Sequence, residues 1–154
     1  MRLAVAACAA FVTMAGAAEA RTWNIRPGAD AEQALQTALI GARPGDTVAI
    51  ARGRFDLTQG LSLAVDRVTI RGAGQDRTIL SFAGQRRGAE GLLVTSSGVM
   101  LRDFAVENAR GDAIKARDCQ GITFHGVRAE WTRGADSHNG AYGLYPVNCS
   151  DVLI

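Results

Sequence analysis

The segment EWTRGADSHNGAY, residues 130–142, concentrates side chains that can bind and react with a polar ligand. A guanidinium can pair with a carboxylate, an imidazole or phenol can move a proton at the neighbouring carbon, and an indole face can stack on a sugar ring. A polar loop that only covers a sheet would have a similar composition, so both interpretations stay open. The candidates are Arg133, His138 and Tyr142 for catalysis, and Trp131 and Asn139 for substrate binding.

Three further candidates for substrate binding each follow an apolar residue at the end of a short β-like segment. They are Arg71, Arg102 and His125. If these segments stack as parallel strands, about 4.8 Å apart, the three side chains form one outward column. An acidic polysaccharide laid across that column would relieve the repulsion between its charges. The simpler alternative is a solvated surface on which Asp103 or Glu107 neutralises the arginines.

Other kinds of site have little support in this sequence. The aspartates are scattered along the chain, and two histidines without Cys/His spacing do not predict a metal site, so we expect no metal and no cofactor. GAGQDR, residues 72–77, lacks the third glycine of a dinucleotide loop and leads into a strand, so it predicts a turn. The formal net charge of +2, without a concentrated basic patch, gives no reason to expect nucleic-acid binding.

The positioning elements form a repeat with unequal spacing. In each of five segments, an apolar-x-apolar core falls in register, which is typical of a solenoid with loops of variable length. Alternation predicts that the apolar pairs point inward. An antiparallel sandwich, the competing all-β fold, would favour tight hairpins, which are not evident here. The segments are DTVAIA (46–51), DRVTIR (66–71), SGVMLR (97–102), QGITFH (120–125) and SDVLI (150–154), with inward pairs Val48/Ile50, Val68/Ile70, Val99/Leu101, Ile122/Phe124 and Val152/Ile154.

One helix precedes the repeat. Asp30 is a candidate N-cap, the apolar residues from Ala31 to Leu39 form one stripe, and Gly41 ends the pattern. We expect this helix to cover the apolar end of the first repeat, since a terminal repeat must hide that surface.

The longest internal match lays AIKARDCQGITF, residues 113–124, over GLYPVNCSDVLI, residues 143–154. It brings Cys119 beside Cys149, close enough for a disulfide. Side chains stacked on parallel strands do not aim at each other, however, so the sequence favours a reduced, stacked pair.

Residues 1–20, MRLAVAACAAFVTMAGAAEA, have the form of a secretory signal peptide: Arg2, an apolar run and a small-x-small ending. We therefore predict an exported protein of the periplasm or extracellular space without a membrane span, whose mature domain is residues 21–154.

The helix followed by PGDTVAIARGRFDL and LSLAVDRVTIRGAGQDRTIL resembles the right-handed parallel β-helix proteins related to pectate lyases. The ending NGAYGLYPVNCSDVLI is similar to exported bacterial parallel β-helix repeat proteins. The resemblance implies an all-β, right-handed parallel β-helix with a short N-terminal capping helix. We expect the chain to be truncated at residue 154, because Val152 and Ile154 would otherwise be exposed at an open end.

For function, the resemblance and the candidate residues together predict a protein that binds or modifies an anionic polysaccharide. If it is catalytic, a lyase or epimerase acting on a uronate fits the residues better than a hydrolase. The alternative is a non-catalytic exported scaffold or accessory protein, since the β-helix fold by itself does not determine activity.

Overall fold

The computed structural model describes residues 19–154, so nearly all of the predicted signal peptide lies outside the described residues. Over these residues the chain is mostly β with parallel strand pairing and one helix, which confirms the all-β parallel class. No helix among residues 19–154 is long and apolar enough to cross a bilayer. The elements are β1 Thr22–Ile25, α1 Ala31–Gly41, β2 Thr47–Ile50, β3 Gly53–Asp56, β4 Gln59–Leu63, β5 Thr69–Arg71, β6 Thr78–Ser81, β7 Arg87–Val94, β8 Val99–Glu107, β9 Ile114–Arg117, β10 Gln120–Glu130, β11 Leu144–Val147 and β12 Ser150–Leu153.

The strands form two parallel sheets, and the chain passes repeatedly from one to the other. The eight-stranded sheet has the order β1-β2-β5-β8-β10-β12, and it also includes β3, paired with β6, which in turn pairs with β8. The four-stranded sheet has the order β11-β9-β7-β4. Parallel neighbours need crossovers of this kind, because a tight turn joins only antiparallel strands. Loops between the sheets therefore carry the variable spacing of the repeat.

The predicted inward pairs fill the core. Both members of Val68/Ile70, Val99/Leu101 and Ile122/Phe124 are buried. In the last repeat, Val152 and Ile154 are 37% and 73% exposed. Alternation along a strand thus predicts which face of the strand points inward. The inward side chains are buried only in repeats that have a neighbouring strand on both sides.

The predicted alignment of the first two repeats is wrong by two residues. Val48 pairs with Ile70, whereas Ile50 pairs with Ile25 of β1, a strand that the alignment left out. The side-chain period of a strand is two, so a shift of two residues leaves the same residues facing the core. Val48 and Ile50 are accordingly both buried despite the shift.

Helix α1 covers strands at the start of both sheets, as predicted. It packs against β1, β3 and β4, and the side chain of Gln36 donates a 2.8 Å hydrogen bond to the carbonyl of Gly60. Asp30 occupies the N-cap position but makes no side-chain capping bond. The packing of the apolar stripe therefore holds this short helix in place. Its buried residues are Ala31, Leu35, Ala38 and Leu39.

Cys119 and Cys149 form a disulfide, so the prediction of a reduced pair is wrong. That prediction assumed that both residues lie on flat strands. They lie instead in the turns between the two sheets, each after a residue with positive φ, Asp118 at 54° and Asn148 at 51°. The turn directs the sulfur atoms towards each other, with the Cα atoms 4.6 Å apart. A 2.6 Å hydrogen bond from Asn148 Nδ2 to Asp118 Oδ1 joins the same two turns.

Candidate functional site

Four arginines line an open groove of about 870 Å³ beside the eight-stranded sheet, which we call the arginine groove. Arg71 and Arg102 reach it because they follow Ile70 and Leu101, whose side chains fill the core. Asp103 is the one acidic residue in the lining. The positive charge of the groove is therefore largely uncompensated. The four arginines are Arg26, Arg71, Arg77 and Arg102.

The structure brings together the three members of the predicted column. Arg71 pairs in register with Arg102, and Arg102 pairs with His125 on the next strand. The His125 side chain is 69% exposed. The column thus extends the arginine groove across three neighbouring strands.

Ion pairing in the groove is concentrated on one arginine. Arg102 Nε donates a 2.7 Å hydrogen bond to Asp103 Oδ2, and His125 Nδ1 lies 4.0 Å from the other oxygen of the same carboxylate. Among residues 19–154, no carboxylate lies within 4.0 Å of the guanidinium nitrogens of the other three groove arginines. Those guanidiniums are available for an anionic ligand.

Sequence reasoning missed two of the groove arginines. Arg26 follows the inward Ile25 of β1, as Arg71 follows Ile70, so extending the repeat to the strand before the helix would have found it. Arg77 ends GAGQDR, which forms the predicted turn and directs this side chain into the groove. Only the folded chain brings that turn beside Arg26.

Glu107 does not neutralise the predicted column, which corrects that part of the sequence interpretation. Its carboxylate is 6% exposed and lies between Arg54 Nη1 at 2.9 Å and Arg128 Nη2 at 3.0 Å. Arg128 also pairs with Glu130 and lies 3.5 Å from Asp76. This network on β3, β8 and β10 satisfies its own charges, so we assign it a structural role.

In the loop after β10, Asp136 orients His138. Asp136 Oδ1 accepts 2.8 Å hydrogen bonds from the backbone N–H of His138 and from its ring Nδ1. These bonds, the backbone one first, lower the pKa of Asp136, and the charge of Arg133 acts in the same direction. The carboxylate therefore stays ionised and can only accept, so Nδ1 carries the proton of this hydrogen bond and Nε2 is the ring nitrogen left for a ligand.

Two other predicted loop residues hold the loop together. Trp131 packs against the core and donates from Nε1 to the carbonyl of Ala109 at 2.7 Å. Asn139 donates from Nδ2 to the carbonyl of Gly134 at 2.7 Å. These contacts order the polypeptide around His138. Their predicted role in substrate binding stays a prediction.

Tyr142, the remaining predicted residue, stacks on Tyr145 of β11 with ring centres 4.2 Å apart. Tyr145 was not among the predicted site residues, although the alignment of Leu144 with Ile114 already placed it beside Lys115. That pairing is present in the structure.

The predicted site residues therefore form two groups. The column crosses the middle of β8 and β10, whereas the loop begins after β10 ends at Glu130. Up to about 20 Å of strand separates His125 from Trp131, at about 3.3 Å per residue. The arginine groove and the loop are chemically distinct surfaces.

No family model and no curated protein matches this sequence. Among solved structures, the chain is similar to an alginate lyase from Paenibacillus sp. str. FPU-7, with a TM-score of 0.53 and 21% sequence identity. The match covers 71% of this chain and 36% of the lyase, so the chain corresponds to about a third of that protein's length. At this identity the similarity establishes a shared fold.

Proposed function

We propose that this chain forms a right-handed parallel β-helix of an exported protein and binds an anionic polysaccharide in the arginine groove. One observation carries the proposal: three groove arginines have no carboxylate within 4.0 Å among residues 19–154. The positive charges of arginines that line one groove repel one another, and a ligand that supplies carboxylates would relieve that repulsion.

The geometry of the groove suits a polymer better than a single small anion. Arg71 and Arg102 lie on neighbouring strands, about 4.8 Å apart, and His125 continues the row. A guanidinium binds a carboxylate through two parallel N–H bonds, so each arginine can hold one acidic sugar. The solved structure with a similar fold is an alginate lyase, which makes alginate the first ligand to test.

Binding to alginate and pectate, measured by calorimetry, tests the groove. We expect the double variant Arg71→Ala/Arg102→Ala to lose at least about tenfold in affinity, equivalent to about 1.4 kcal/mol. The matched control is Arg86→Ala/Arg87→Ala, which removes the same charge from exposed arginines outside the groove. Equal losses in the two double variants, or no binding of the unmodified protein to either polymer, would reject the proposal.

The loop after β10 supports a second candidate function, that of a uronate lyase or epimerase. His138 Nε2 would remove the proton from C5 of a uronate, next to the carboxylate, while Asp136 holds the ring. In a lyase the electron pair then forms the C4=C5 double bond as the C4–O bond breaks, and the leaving oxygen takes a proton. An epimerase instead returns a proton to the opposite face of C5. Arg133 would pair with the carboxylate, and Tyr142 would supply the second proton.

The test of this candidate follows double-bond absorbance for a lyase and deuterium uptake at C5 from heavy water for an epimerase. His138→Gln would abolish the signal, whereas Arg86→Ala/Arg87→Ala, outside both the groove and the loop, would leave it unchanged. If the unmodified protein gives neither signal with alginate or pectate, the catalytic candidate is wrong. The groove then serves a non-catalytic scaffold that only binds.

A further inference from the structure

The chain contains two tyrosines, and their rings stack on each other. The ring centres of Tyr142 and Tyr145 are 4.2 Å apart, and the ring planes differ by 21°. Tyr142 is 50% exposed, so the outer ring of the stack meets solvent. An exposed, ordered pair of aromatic rings is a flat apolar surface with polar hydroxyls at its edge.

This stack belongs to the four-stranded sheet, away from the arginine groove. Tyr145 pairs in register with Lys115 of β9. Lys115 points outward, because Ile114 and Ala116 on either side of it are fully buried. The stack therefore lies on the outer face of the four-stranded sheet, whereas the arginine groove lies beside the eight-stranded sheet.

The charged groups beside the stack carry a net negative charge. Lys115 Nζ lies 5.4 Å from the centre of the Tyr145 ring, within the range of a cation–π contact. The same ammonium lies 3.6 Å from Asp112 and 3.7 Å from Glu90. With two carboxylates beside one cation, this surface does not attract an anion as the arginine groove does.

We propose that the Tyr142–Tyr145 stack is a second binding site, which takes an uncharged sugar residue of a glycan. The C–H face of a pyranose ring carries slight positive charge and packs on the negative face of an aromatic ring. The tyrosine hydroxyls and the Lys115 ammonium can then bond to the sugar hydroxyls at the edge of the stack. A uronate is a poorer ligand here because Asp112 and Glu90 repel its carboxylate.

The two stacked rings are preorganised for ligand binding. Each tyrosine ring restricts the rotation of the other, so little side-chain entropy remains to be lost when a sugar packs on the outer ring. With the arginine groove on the other sheet, one molecule can hold an acidic glycan on one side and a neutral glycan on the other. The stack shares no residue with the arginine groove, so it does not depend on anionic glycan binding there. It shares Tyr142 with the catalytic candidate, and a neutral-sugar site at Tyr142 is an alternative to the proton-donor role of that residue.

Selective isotope labelling of tyrosine tests this site directly, because the two tyrosines of the full chain are the residues of the stack. Protein with ¹³C-labelled tyrosine rings is titrated with cello-, laminari- and manno-hexaose, and separately with an alginate hexamer. We expect at least one neutral hexaose to shift both ring signals in a saturable manner. The alginate hexamer should leave them largely unmoved.

Two variants distinguish the contribution of the Tyr142 ring to binding from that of its hydroxyl. Tyr142→Ala should weaken the neutral hexaose at least tenfold, whereas Tyr142→Phe keeps the stacking face and should weaken it less than threefold. Arg71→Ala/Arg102→Ala should leave this binding unchanged, which distinguishes failure of the stack from failure of the groove. The proposal is overturned if none of the three neutral hexaoses shifts the ring signals, or if the alginate hexamer alone does.

Discussion

Asp46 is a buried carboxylate that accepts three N–H donors near the start of the eight-stranded sheet. Oδ1 accepts from the backbone of Arg21 at 2.8 Å, and Oδ2 accepts from the backbone of Arg43 at 3.0 Å and from Trp23 Nε1 at 3.1 Å. These bonds, that of Arg21 first, lower the pKa of Asp46 below its usual 3.8. The ionised form is therefore the one that the fold stabilises.

Because the pKa of Asp46 is lower in the folded chain, its contribution to stability is present above the unfolded pKa. That contribution is lost as the pH falls through the folded value. We expect Asp46→Asn to lower the melting temperature at pH 7, since the amide places N–H groups against existing donors. We also expect it to reduce the pH dependence of melting below about pH 4.

Thermal melts between pH 7 and pH 2 check this expectation. Asp30→Asn is the matched control, because Asp30 makes no side-chain capping bond. Equal effects of the two variants would show that the three bonds to Asp46 contribute nothing specific.

At the scale of single residues, the sequence predicted which side chains share a face of the sheet better than it predicted their hydrogen bonds and ion pairs. Arg71, Arg102 and His125 could be placed in one column because strand alternation is a local property. The ion pairs of Glu107 and the bonds of Asp46 could not be predicted, since alternation gives the face of a side chain and not which polar atom it will bond.

At the scale of elements, β8 shows how one strand divides between core and surface. Leu101 is fully buried, and Met100 beside it is 38% exposed. We expect Leu101→Ala to lower the free energy of unfolding by about 2–5 kcal/mol, because it leaves a cavity in the core. Met100→Ala should change it by less than about 0.5 kcal/mol. Urea unfolding of both variants measures the difference, and similar losses would contradict the assigned inward face.

The disulfide joins two turns whose cysteines are 30 residues apart. Closing a loop of that length restricts the unfolded chain, and the chain-entropy model gives about 3–4 kcal/mol. We expect Cys119→Ala/Cys149→Ala to melt at a lower temperature than the unmodified protein. Reductant should lower the melting temperature of the unmodified protein and leave the variant unaffected. A reductant effect of the same size in both would show that it does not act through this bond.

The predictions of the fold that succeeded are those that depend on the apolar pattern within a single helix or strand. The helix and the buried faces follow from apolar periodicity, which acts within a few residues. The register between β2 and β5 could not be found from the apolar pattern, because a shift of two residues places the same side chains on the buried face. The disulfide depends on the geometry of turns that lie outside the repeating strands.

At the scale of the whole molecule, the two sheets present surfaces with different electrostatics. Raising the salt concentration from about 0.05 M to about 0.5 M shortens the range of charge interactions. We expect alginate binding to the arginine groove to weaken steeply over this range. Binding of a neutral hexaose to the tyrosine stack should stay within about twofold, because no net charge attracts that ligand. Calorimetry at both salt concentrations measures the two affinities, and a parallel decline would contradict the assignment of separate ligands.

Gly140 limits how far the loop after β10 can change shape. Its Cα lies so close to the carbonyl of Gly111 and the ring of Trp131 that a β-carbon there would collide with both. Trp131 is itself bonded to Ala109, so this part of the loop is tied to the preceding turn. A ligand that approaches His138 or Tyr142 meets a preformed surface. Recognition there should resemble rigid docking, with adjustment confined to side-chain rotamers and without a closing lid.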